Sequence, residues 1–311
     1  MPPIDPTDID AAIAALAQGR PVILPTETVY GLAANAADPS AVAAVFEAKG
    51  RPRFNPLIAH VADAEMGRAV GQLDARAERL AQAFWPGPLT LVLPVGDPAL
   101  VCDLARAGLD TVAVRSPGHP LALEILGRFG GPVVAPSANR SGRPSPTTFQ
   151  DATDETGEFA AAGIDGGPCA VGVESTVVAL LDGPPRLLRP GAVTREALEA
   201  VLGPLAAADA HAHRSPGRLL RHYAPNAPVR LRATEPRAGE AYLAFGPALE
   251  APGVFQLSAS KDLREAAAKL FALLRAADAT APSAIAVAPI PDEGLGEAIN
   301  DRLRRAAGHV G

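Results

Sequence analysis

The chain has 311 residues, of which 48% are hydrophobic and 20% are charged, and at about 150 residues per domain this length predicts two folded domains. Such a composition excludes a disordered or fibrous protein. The 28 Lys and Arg residues against 34 Asp and Glu give a net charge of −6, which excludes a general basic field that attracts nucleic acid. Any site for an anion or an RNA must therefore be local.

Cysteine usage and the N-terminus narrow the class of protein further. Cys102 and Cys169 are too few for a disulfide framework or a cysteine-based metal site, so we predict two buried thiols. The N-terminus begins with acidic residues where a signal peptide would be basic. Because no apolar run reaches roughly 18 residues, we expect no membrane span. These features predict a cytoplasmic protein.

The first part of the chain alternates predicted helices and strands. Ile9, Ile13, Leu16 and Ala17 have helical spacing that ends before Gly19. Predicted strands are the short apolar runs at 21–25, 57–61, 89–95, 111–115, 132–136 and 175–181, and further predicted helices lie at 41–49 and 75–85. Short, continuous, β-branched strands indicate a sheet covered on both faces. We therefore predict one large α/β domain at residues 1–205.

A linker is predicted at 206–227, where Pro, Ala and His are frequent and no periodicity is clear. It is unusual for a spacer because nine consecutive residues carry Arg214, Arg218, Arg221 and His222, and the aromatic Tyr223 follows them. We therefore expect this segment to do more than join two domains.

The remaining residues, 228–311, predict a small α/β domain. Its elements in order are the strands VRLRA, AYLAF and VFQLS, a helix at 262–277, the strand AIAVAPI, and a last helix around 294–307. Ten basic residues balance ten acidic ones in this part, so the net charge of −6 belongs to the first 227 residues.

Five segments carry residues that could perform chemistry, and all lie at strand ends or in adjacent loops, where α/β sheets bind ligands. The glycine-rich signatures of phosphate binding are absent, so side chains would have to hold any nucleotide phosphates. The segment PTETVYGL (25–32) is either a site or a turn that its threonines cap. In AKGRPRFNPLIAH (48–60), Lys49, Arg51 and Arg53 form either a polyphosphate clamp or partners of a helix dipole.

Each of the other three segments could bind a ligand or have a structural role. Arg115 ends a predicted strand, where it could pair with a substrate carboxylate or with a carboxylate of the protein. The loop 133–147 is dense in hydroxyl and amide groups that could face phosphate, although Ser137 lacks the surroundings of a serine nucleophile. Glu174 and Arg189, in GVESTVV (172–178) and LLRPG (187–191), could form a salt bridge or bind a ligand.

Taken together and in this order, PTETVYGL, AKGRPRFNPLI, VAVRSPGHP, APSANRSGRPSPT, GVESTVV and RPG closely resemble the YrdC-like family of threonylcarbamoyl-AMP synthases over roughly 9–195. SPGRLLRHYAP, followed by a small α/β unit, resembles the long, two-domain form of these enzymes. The resemblance implies a large, YrdC-like twisted mixed sheet with helices, then a small Rossmann-like α/β domain. It also implies that the linker 206–227 reaches over the active site.

The activity implied by this resemblance joins L-threonine, bicarbonate and ATP into threonylcarbamoyl-AMP and releases pyrophosphate. The product would serve the threonylcarbamoyladenosine modification of tRNA, so the implied partners are tRNA and the downstream threonylcarbamoyl transferase proteins. Mg²⁺ would be carried in with ATP, and no metal ligands of the protein are implied.

The same resemblance implies which residues form the site. For threonine they are Thr28, His60, Arg115, Ala135 and Ser175. For ATP they are Arg51, Asn55, Thr111, Ser137, Ser145, Arg189 and Tyr223. Lys49 and Arg51 are the expected catalytic cations, and Lys49 is the first choice for neutralising phosphate charge.

One departure from the family pattern lies in the linker. The long form usually reads close to SPGMKYRHYAP, whereas this chain has Arg218-Leu219-Leu220 in the middle. That puts a role for the altered positions in doubt but leaves Tyr223 in place.

Two competing functions remain open at this point. The chain could be a double-stranded RNA-binding, tRNA-binding or ribosome-maturation module, although 18 basic against 24 acidic residues in the first 227 argue against it. It could also be a carbamoyl-transferring domain of a hydrogenase-maturation enzyme, but the two cysteines exclude the zinc-finger segment of such a protein.

Overall fold

The computed structural model describes residues 7–207, 223–248 and 250–308. The helices are α1 (Ile9–Ala17), α2 (Pro39–Lys49), α3 (Ala64–Val70), α4 (Ala75–Phe84), α5 (Asp103–Arg106), α6 (Pro120–Phe129), α7 (Phe149–Thr156), α8 (Arg195–Leu202), α9 (Leu263–Ala279) and α10 (Leu295–Ala306). The strands are β1 (Val22–Leu24), β2 (Gly31–Asn35), β3 (Ile58–His60), β4 (Leu89–Pro94), β5 (Thr111–Arg115), β6 (Val133–Val134), β7 (Ala162–Gly163), β8 (Thr176–Ala179), β9 (Arg186–Arg189), β10 (Ala206–Ala207), β11 (Val229–Arg230), β12 (Ala241–Phe245), β13 (Val254–Ser258) and β14 (Ile285–Val287).

A ten-stranded mixed sheet forms the first unit, in the order β10-β9-β8-β4-β5-β3-β6-β2-β1-β7. In its middle, β3 runs parallel to β5, and β4 runs antiparallel to β5 and parallel to β8. His60 and Arg115, the last residues of β3 and β5, are register partners. The topology therefore brings two expected site residues together at one edge of the sheet.

Both faces of the large sheet are covered, as the continuous apolar strands predict. Successive residues of a strand point to opposite faces, and here Ile23 and Leu32 enter one core while Leu24 and Ala33 enter another. The second of these cores includes residues of α1 and α6, such as Leu16. The sheet is thus the middle layer of a three-layer α/β unit.

The helix α2 ends where the basic segment begins. Its N-terminus is capped by Asp38, which accepts hydrogen bonds from the backbone N–H groups of Ser40 and Ala41. Its C-terminus is Lys49, because Gly50 adopts the left-handed conformation, with φ of +57°, that commonly stops a helix. This local signal fixes the position of Lys49 at the last helical turn.

The second unit is built on a parallel four-stranded sheet in the order β11-β14-β12-β13, against which α9 packs. Its core contains Phe271 and Leu303 and also Val29, Val173 and Tyr223. Because Val29 and Val173 come from the first unit, the two units share one apolar core.

Gly172 is what allows α9 to come so close to the first unit. It has φ of +74°, and a Cβ there would lie 2.5 Å from the carbonyl oxygen of Ala267 in α9. A larger residue at this position would therefore force the two units apart.

The sequence misplaces several short elements. β2 begins at Gly31, within the segment 25–32 that we expected to be a site or a turn. The missing side chain lets this strand approach Ala135, because a Cβ at Gly31 would lie 3.0 Å from the Cβ of Ala135. Ala206 and Ala207, expected in the linker, form the edge strand β10. Strands of two residues, such as β10 and β11, are too short to show periodicity.

Other expectations concern the linker, the thiols and membrane spans. Residues 208–222, which include Arg214, Arg218, Arg221 and His222, lie outside the described residues. Both cysteines are free thiols; Cys169 is buried, whereas Cys102 is only half-buried. Within the described ranges, no helix is long and apolar enough to cross a membrane.

Candidate active site

A cavity that is partly open to solvent lies at the edge of the large sheet where β3, β5 and β9 end and β8 begins. Nine of the expected site residues line it: Thr28, Arg51, His60, Arg115, Ala135, Ser137, Ser175, Arg189 and Tyr223. The structure therefore gathers side chains from six separate segments of the sequence.

Arg115 is held rigidly at the end of β5. Its Nη1 donates to Thr28 Oγ1 at 2.9 Å, its Nη2 to Glu27 Oε1 at 2.6 Å, and its Nε to the carbonyl oxygen of Gly87 at 3.2 Å. Only 3% of Arg115 is exposed. Sequence analysis missed Glu27, although this carboxylate stands in the PTETVYGL segment. The guanidinium is thus a buried, oriented positive charge in the cavity wall.

His60, beside Arg115, contributes a neutral ring. Burial and the charge of Arg115 lower the pKa of His60 to about 3. Its Nδ1 lies 3.1 Å from the carbonyl oxygen of Ile58. Because a carbonyl only accepts, this contact places the ring proton on Nδ1 and leaves Nε2 as an acceptor.

Two further guanidinium groups line the cavity, and backbone carbonyl groups orient both. Arg51 donates from Nη2 to the carbonyl of Pro56 at 3.1 Å, and burial lowers the pKa of Arg51 to about 10. Arg189 donates from Nη2 to the carbonyl of Ser175 at 2.9 Å and to Ser175 Oγ at 3.2 Å. Carbonyl partners leave a guanidinium its full charge, so both side chains are available to anions.

Lys49 lies behind the wall of the cavity. Its Nζ donates to the carbonyl oxygens of Ser137 and Asn139, and only 3% of the residue is exposed. Burial, followed by the charge of Arg51, lowers the pKa of Lys49 well below its ordinary value. The ammonium group thus holds the loop that carries Ser137, and the structure does not place it at the cavity surface.

Three other expected residues also stand outside the lining. Asn55 and Ser145 are buried next to lining residues. Thr111 is separate from all the rest, because it begins β5 while Arg115 ends it, and Thr111 lines a different groove with Asp74 and Arg76. The strand length, five residues at about 3.3 Å each, puts these two side chains at opposite edges of the sheet.

Glu174 forms the salt bridge that the sequence left as one of two options. Its Oε1 accepts from Ser145 Oγ at 2.6 Å, and its Oε2 accepts from Nε of Arg302 at 2.7 Å. Burial opposes the ionised carboxylate, but the charges of Arg302 and Arg189 and the two hydrogen bonds outweigh it, so the pKa of Glu174 is lowered. Arg302 comes from α10, in the run GLGEAINDRLRRAAG that resembles the end of the long form, and was not expected in the site.

Comparison with known proteins fits these observations. A family model described as "Telomere recombination" matches residues 14–191, and one described as "Threonylcarbamoyl-AMP synthase, C-terminal domain" matches residues 193–308. The chain belongs to the threonylcarbamoyl-AMP synthase family. Threonylcarbamoyl-AMP synthases of Bacillus subtilis and Pyrococcus abyssi are each 40% identical to it. They align over 96% and 98% of this chain and 93% and 96% of their own lengths.

A solved structure extends the match to three dimensions. The crystal structure of Pyrococcus abyssi Sua5 complexed with L-threonine has a TM-score of 0.90 and 39% identity, and the match covers 97% of this chain and 94% of that one. The expected family, the α/β fold class with its two parts, and the activity of a threonylcarbamoyl-AMP synthase are thereby confirmed.

Some relatives match only part of the chain. A putative threonylcarbamoyl-AMP synthase of Mycobacterium tuberculosis is 42% identical over 63% of this chain and 89% of its own length. The crystal structure of Escherichia coli YciO covers 59% of this chain at 22% identity with a TM-score of 0.51, which shows likeness of fold alone.

Proposed function

We propose that this chain uses its cavity to bind L-threonine and ATP side by side and to join them, through bicarbonate, into threonylcarbamoyl-AMP and pyrophosphate. The observation that carries this proposal is the set of three oriented guanidinium groups, Arg51, Arg115 and Arg189, around one cavity. One such group suits a carboxylate and the others suit a polyphosphate. The cavity thus offers separate partners for the two anionic substrates.

Threonine would bind at the Arg115 side. Arg115 pairs with the threonine carboxylate, and the hydrogen bonds that Arg115 donates to Glu27 and Thr28 keep the guanidinium from turning away. The acceptor Nε2 of neutral His60 suits the ammonium or hydroxyl group of threonine. Ala135 and Ser175 complete this part of the wall.

ATP would bind at the Arg51 and Arg189 side, with Ser137 facing its phosphates. Lys49 contributes by fixing the loop of Ser137, and Asn55 and Ser145 support the wall from behind. Tyr223 closes over the nucleotide. Thr111 takes no part in this assignment, because it lies at the opposite edge of the sheet.

The proposed reaction needs no nucleophile from the protein. The deprotonated amine of threonine attacks the carbon of bicarbonate and forms a carbamate with release of water. If CO2 derived from bicarbonate is attacked, the water has left beforehand and the amine releases a proton. A carbamate oxygen then attacks the α-phosphorus of ATP, and pyrophosphate leaves. The fixed guanidinium groups position both substrates and stabilise the negative charge that moves onto the leaving phosphates.

Mg²⁺ would enter as part of the nucleotide, since this ion commonly binds through substrate phosphates. The described lining residues fit that mode. Glu174 is the only carboxylate among them, and both of its oxygens already accept hydrogen bonds from Ser145 and Arg302.

We further propose the roles of the three parts of the chain. The catalytic domain, expected at 1–205, extends to the edge strand at Ala206 and Ala207. The rest of the expected linker 206–227 would reach over the site, and 228–311 would form a small domain that supports both. The product would pass to proteins that transfer the threonylcarbamoyl group to tRNA, in the cytoplasm. The net charge of −6 supports an indirect relation to tRNA over general RNA binding.

Tyr223→Ala should weaken the use of ATP more than the binding of threonine. Tyr223 is 1% exposed, and its ring centre lies 5.4 Å from that of Phe271, so truncation removes part of the wall on the nucleotide side. We expect the apparent KM for ATP to rise by about tenfold, equal to ~1.4 kcal/mol. Steady-state kinetics with each substrate varied in turn measures both constants.

The matched control is Tyr242→Ala, which truncates a tyrosine of β12 that does not line the cavity. It should leave both KM values near those of the wild type. An unchanged KM for ATP in Tyr223→Ala would rule out the closing role of this side chain.

The proposed activity is tested by omitting one component at a time. Pyrophosphate release from ATP and Mg²⁺ should require both threonine and bicarbonate. Hydrolysis of ATP without threonine would contradict the proposal. Salt-dependent binding of tRNA without any pyrophosphate release would favour the RNA-binding alternative.

A further inference from the structure

The cavity carries one feature that a site for a polyanion does not need. Among the described residues that line it, Glu174 is the only carboxylate, and it is 6% exposed. A buried negative charge repels nucleotide phosphates strongly, because little water screens it. Something must therefore compensate the charge of Glu174.

The first-unit residue Arg189 supplies part of the compensating charge, and the salt-bridge partner of Glu174 comes from the second unit. Arg302 lies in α10 with no exposed surface, and its Nε donates to Glu174 Oε2 at 2.7 Å. Its Nη1 donates to the carbonyl oxygen of Pro190 at 3.0 Å and to Asp301 Oδ2 at 2.7 Å. The guanidinium carbon also lies 5.4 Å from the ring centre of Tyr223.

These contacts connect one side chain of α10 to three parts of the cavity wall. Glu174 precedes β8, and Pro190 follows Arg189 at the end of β9. Tyr223 stands near the end of the linker, where the described residues resume. Ser145 donates a hydrogen bond to one oxygen of Glu174, and Arg302 donates to the other. Arg302 therefore also fixes the orientation of the carboxylate toward the Ser145 hydroxyl.

We propose that Arg302 is a positioning residue of the active site, supplied by the second unit to cancel the charge of Glu174 toward the phosphates of ATP and to hold Glu174 in place. This inference rests on the proposed function, since it concerns ATP in the same cavity. The second unit then contributes a positive charge to the site and also covers it.

A purely structural salt bridge is the alternative. Loss of one partner of any buried ion pair is harmful, because the other charge stays buried without compensation. The chain offers a comparison on the same helix, where Glu297 of α10 pairs with Arg195 at 2.6 Å across the two units. Neither Arg195 nor Glu297 lines the cavity.

The test is a double-mutant cycle on Arg302 and Glu174, with Glu297→Gln as the matched control. Wild type, Arg302→Met, Glu174→Gln and the double variant are compared for apparent KM values of ATP and threonine. We expect Arg302→Met to raise the KM for ATP by about tenfold or more, with the KM for threonine within about twofold. Glu297→Gln should change neither constant.

Rescue together with substrate selectivity is the decisive readout. Glu174→Gln added to Arg302→Met removes the uncompensated carboxylate, so the KM for ATP should return to within about threefold of wild type. A purely structural pair would also be relieved by removal of the second charge, but its loss should affect the KM values of ATP and threonine equally. A double variant no better than Arg302→Met overturns the proposal, and so does an equal rise for both substrates.

Two further measurements keep the inference independent of folding and of turnover. If Arg302→Met does not fold, the double variant is measured in its place. A KM for ATP more than about threefold above that of the wild type would then contradict the proposal. Calorimetry with a non-hydrolysable ATP analogue should show the same order of affinities without any reaction. If the variants show this order of affinities but the wild type has no threonine-dependent turnover, the proposed function is contradicted and the role of Arg302 toward ATP is still supported.

Discussion

Arg115→Ala should nearly abolish threonine binding, with a loss of roughly 2–5 kcal/mol, or about 30-fold to 5,000-fold in affinity. Arg115 is 3% exposed and fixed by Glu27, Thr28 and the Gly87 carbonyl, so no water can replace its charge opposite a carboxylate. Calorimetric titration with L-threonine measures the effect directly. Turnover should fall in parallel, because threonine supplies the attacking amine.

Two controls separate loss of binding from loss of fold. Arg68→Ala removes an arginine whose side chain is 53% exposed and paired with Glu78, and a surface pair of this kind contributes at most about 1 kcal/mol. Arg115→Ala combined with Glu27→Gln removes the carboxylate that would otherwise stay buried without its partner. Near-wild-type threonine affinity in either Arg115 variant would contradict the assignment of this residue.

Gly191→Ala should destabilise the protein and disrupt the site at once. A Cβ at Gly191 would lie 2.4 Å from the backbone nitrogen of Thr176 and 2.5 Å from the carbonyl oxygen of Glu174. Overpacking usually costs about 1–3 kcal/mol, and backbone atoms yield less than side chains, so we expect a loss of about 3 kcal/mol in the free energy of unfolding. Denaturant unfolding measures it.

The effect on activity follows from the place of this contact. The segment that would have to move carries Glu174 and Ser175, both in the cavity wall. The matched control is Gly127→Ala in α6, where a Cβ meets nothing within 4 Å and alanine should stabilise the helix by about 0.5–1 kcal/mol. Equal stability of Gly191→Ala and wild type would show that the two backbone segments are not packed as described.

The cavity could be predicted to a large extent from the sequence, because its residues stand in short motifs at the ends of strands. Thr28, His60, Arg115 and Ser175 each lie within three residues of a strand that reaches the same edge of the sheet. Hydroxyl, imidazole and guanidinium groups are conspicuous there among Ala, Val and Leu. The resemblance to a family then joined motifs that the spacing alone could not connect.

What the sequence could not supply is the relation between residues far apart in the chain. Arg302 lies 128 positions from Glu174, and an arginine near the end of an amphipathic helix is usually a solvated one. Lys49 was expected at the phosphates, but the turn at Gly50 and the loop at Ser137 direct its ammonium group to backbone carbonyls. Tertiary contacts of this kind leave no local pattern.

The net charge of the whole chain also differs from the charge around the cavity. A net charge of −6 excludes nonspecific attraction of anions. It does not exclude an anion site, because Arg51, Arg115 and Arg189 act over a few ångströms around one cavity. The local geometry therefore determines which ligand binds, and the net charge affects only the nonspecific attraction of ions.

Mass spectrometry of the product formed from ¹³C-bicarbonate tests the central claim most directly. With ATP, Mg²⁺ and L-threonine present, we expect an adenylate that contains threonine and one ¹³C atom per molecule, formed in equal amount with pyrophosphate. Pyrophosphate that appears without this labelled adenylate, or an adenylate of threonine that lacks the ¹³C, would contradict the account.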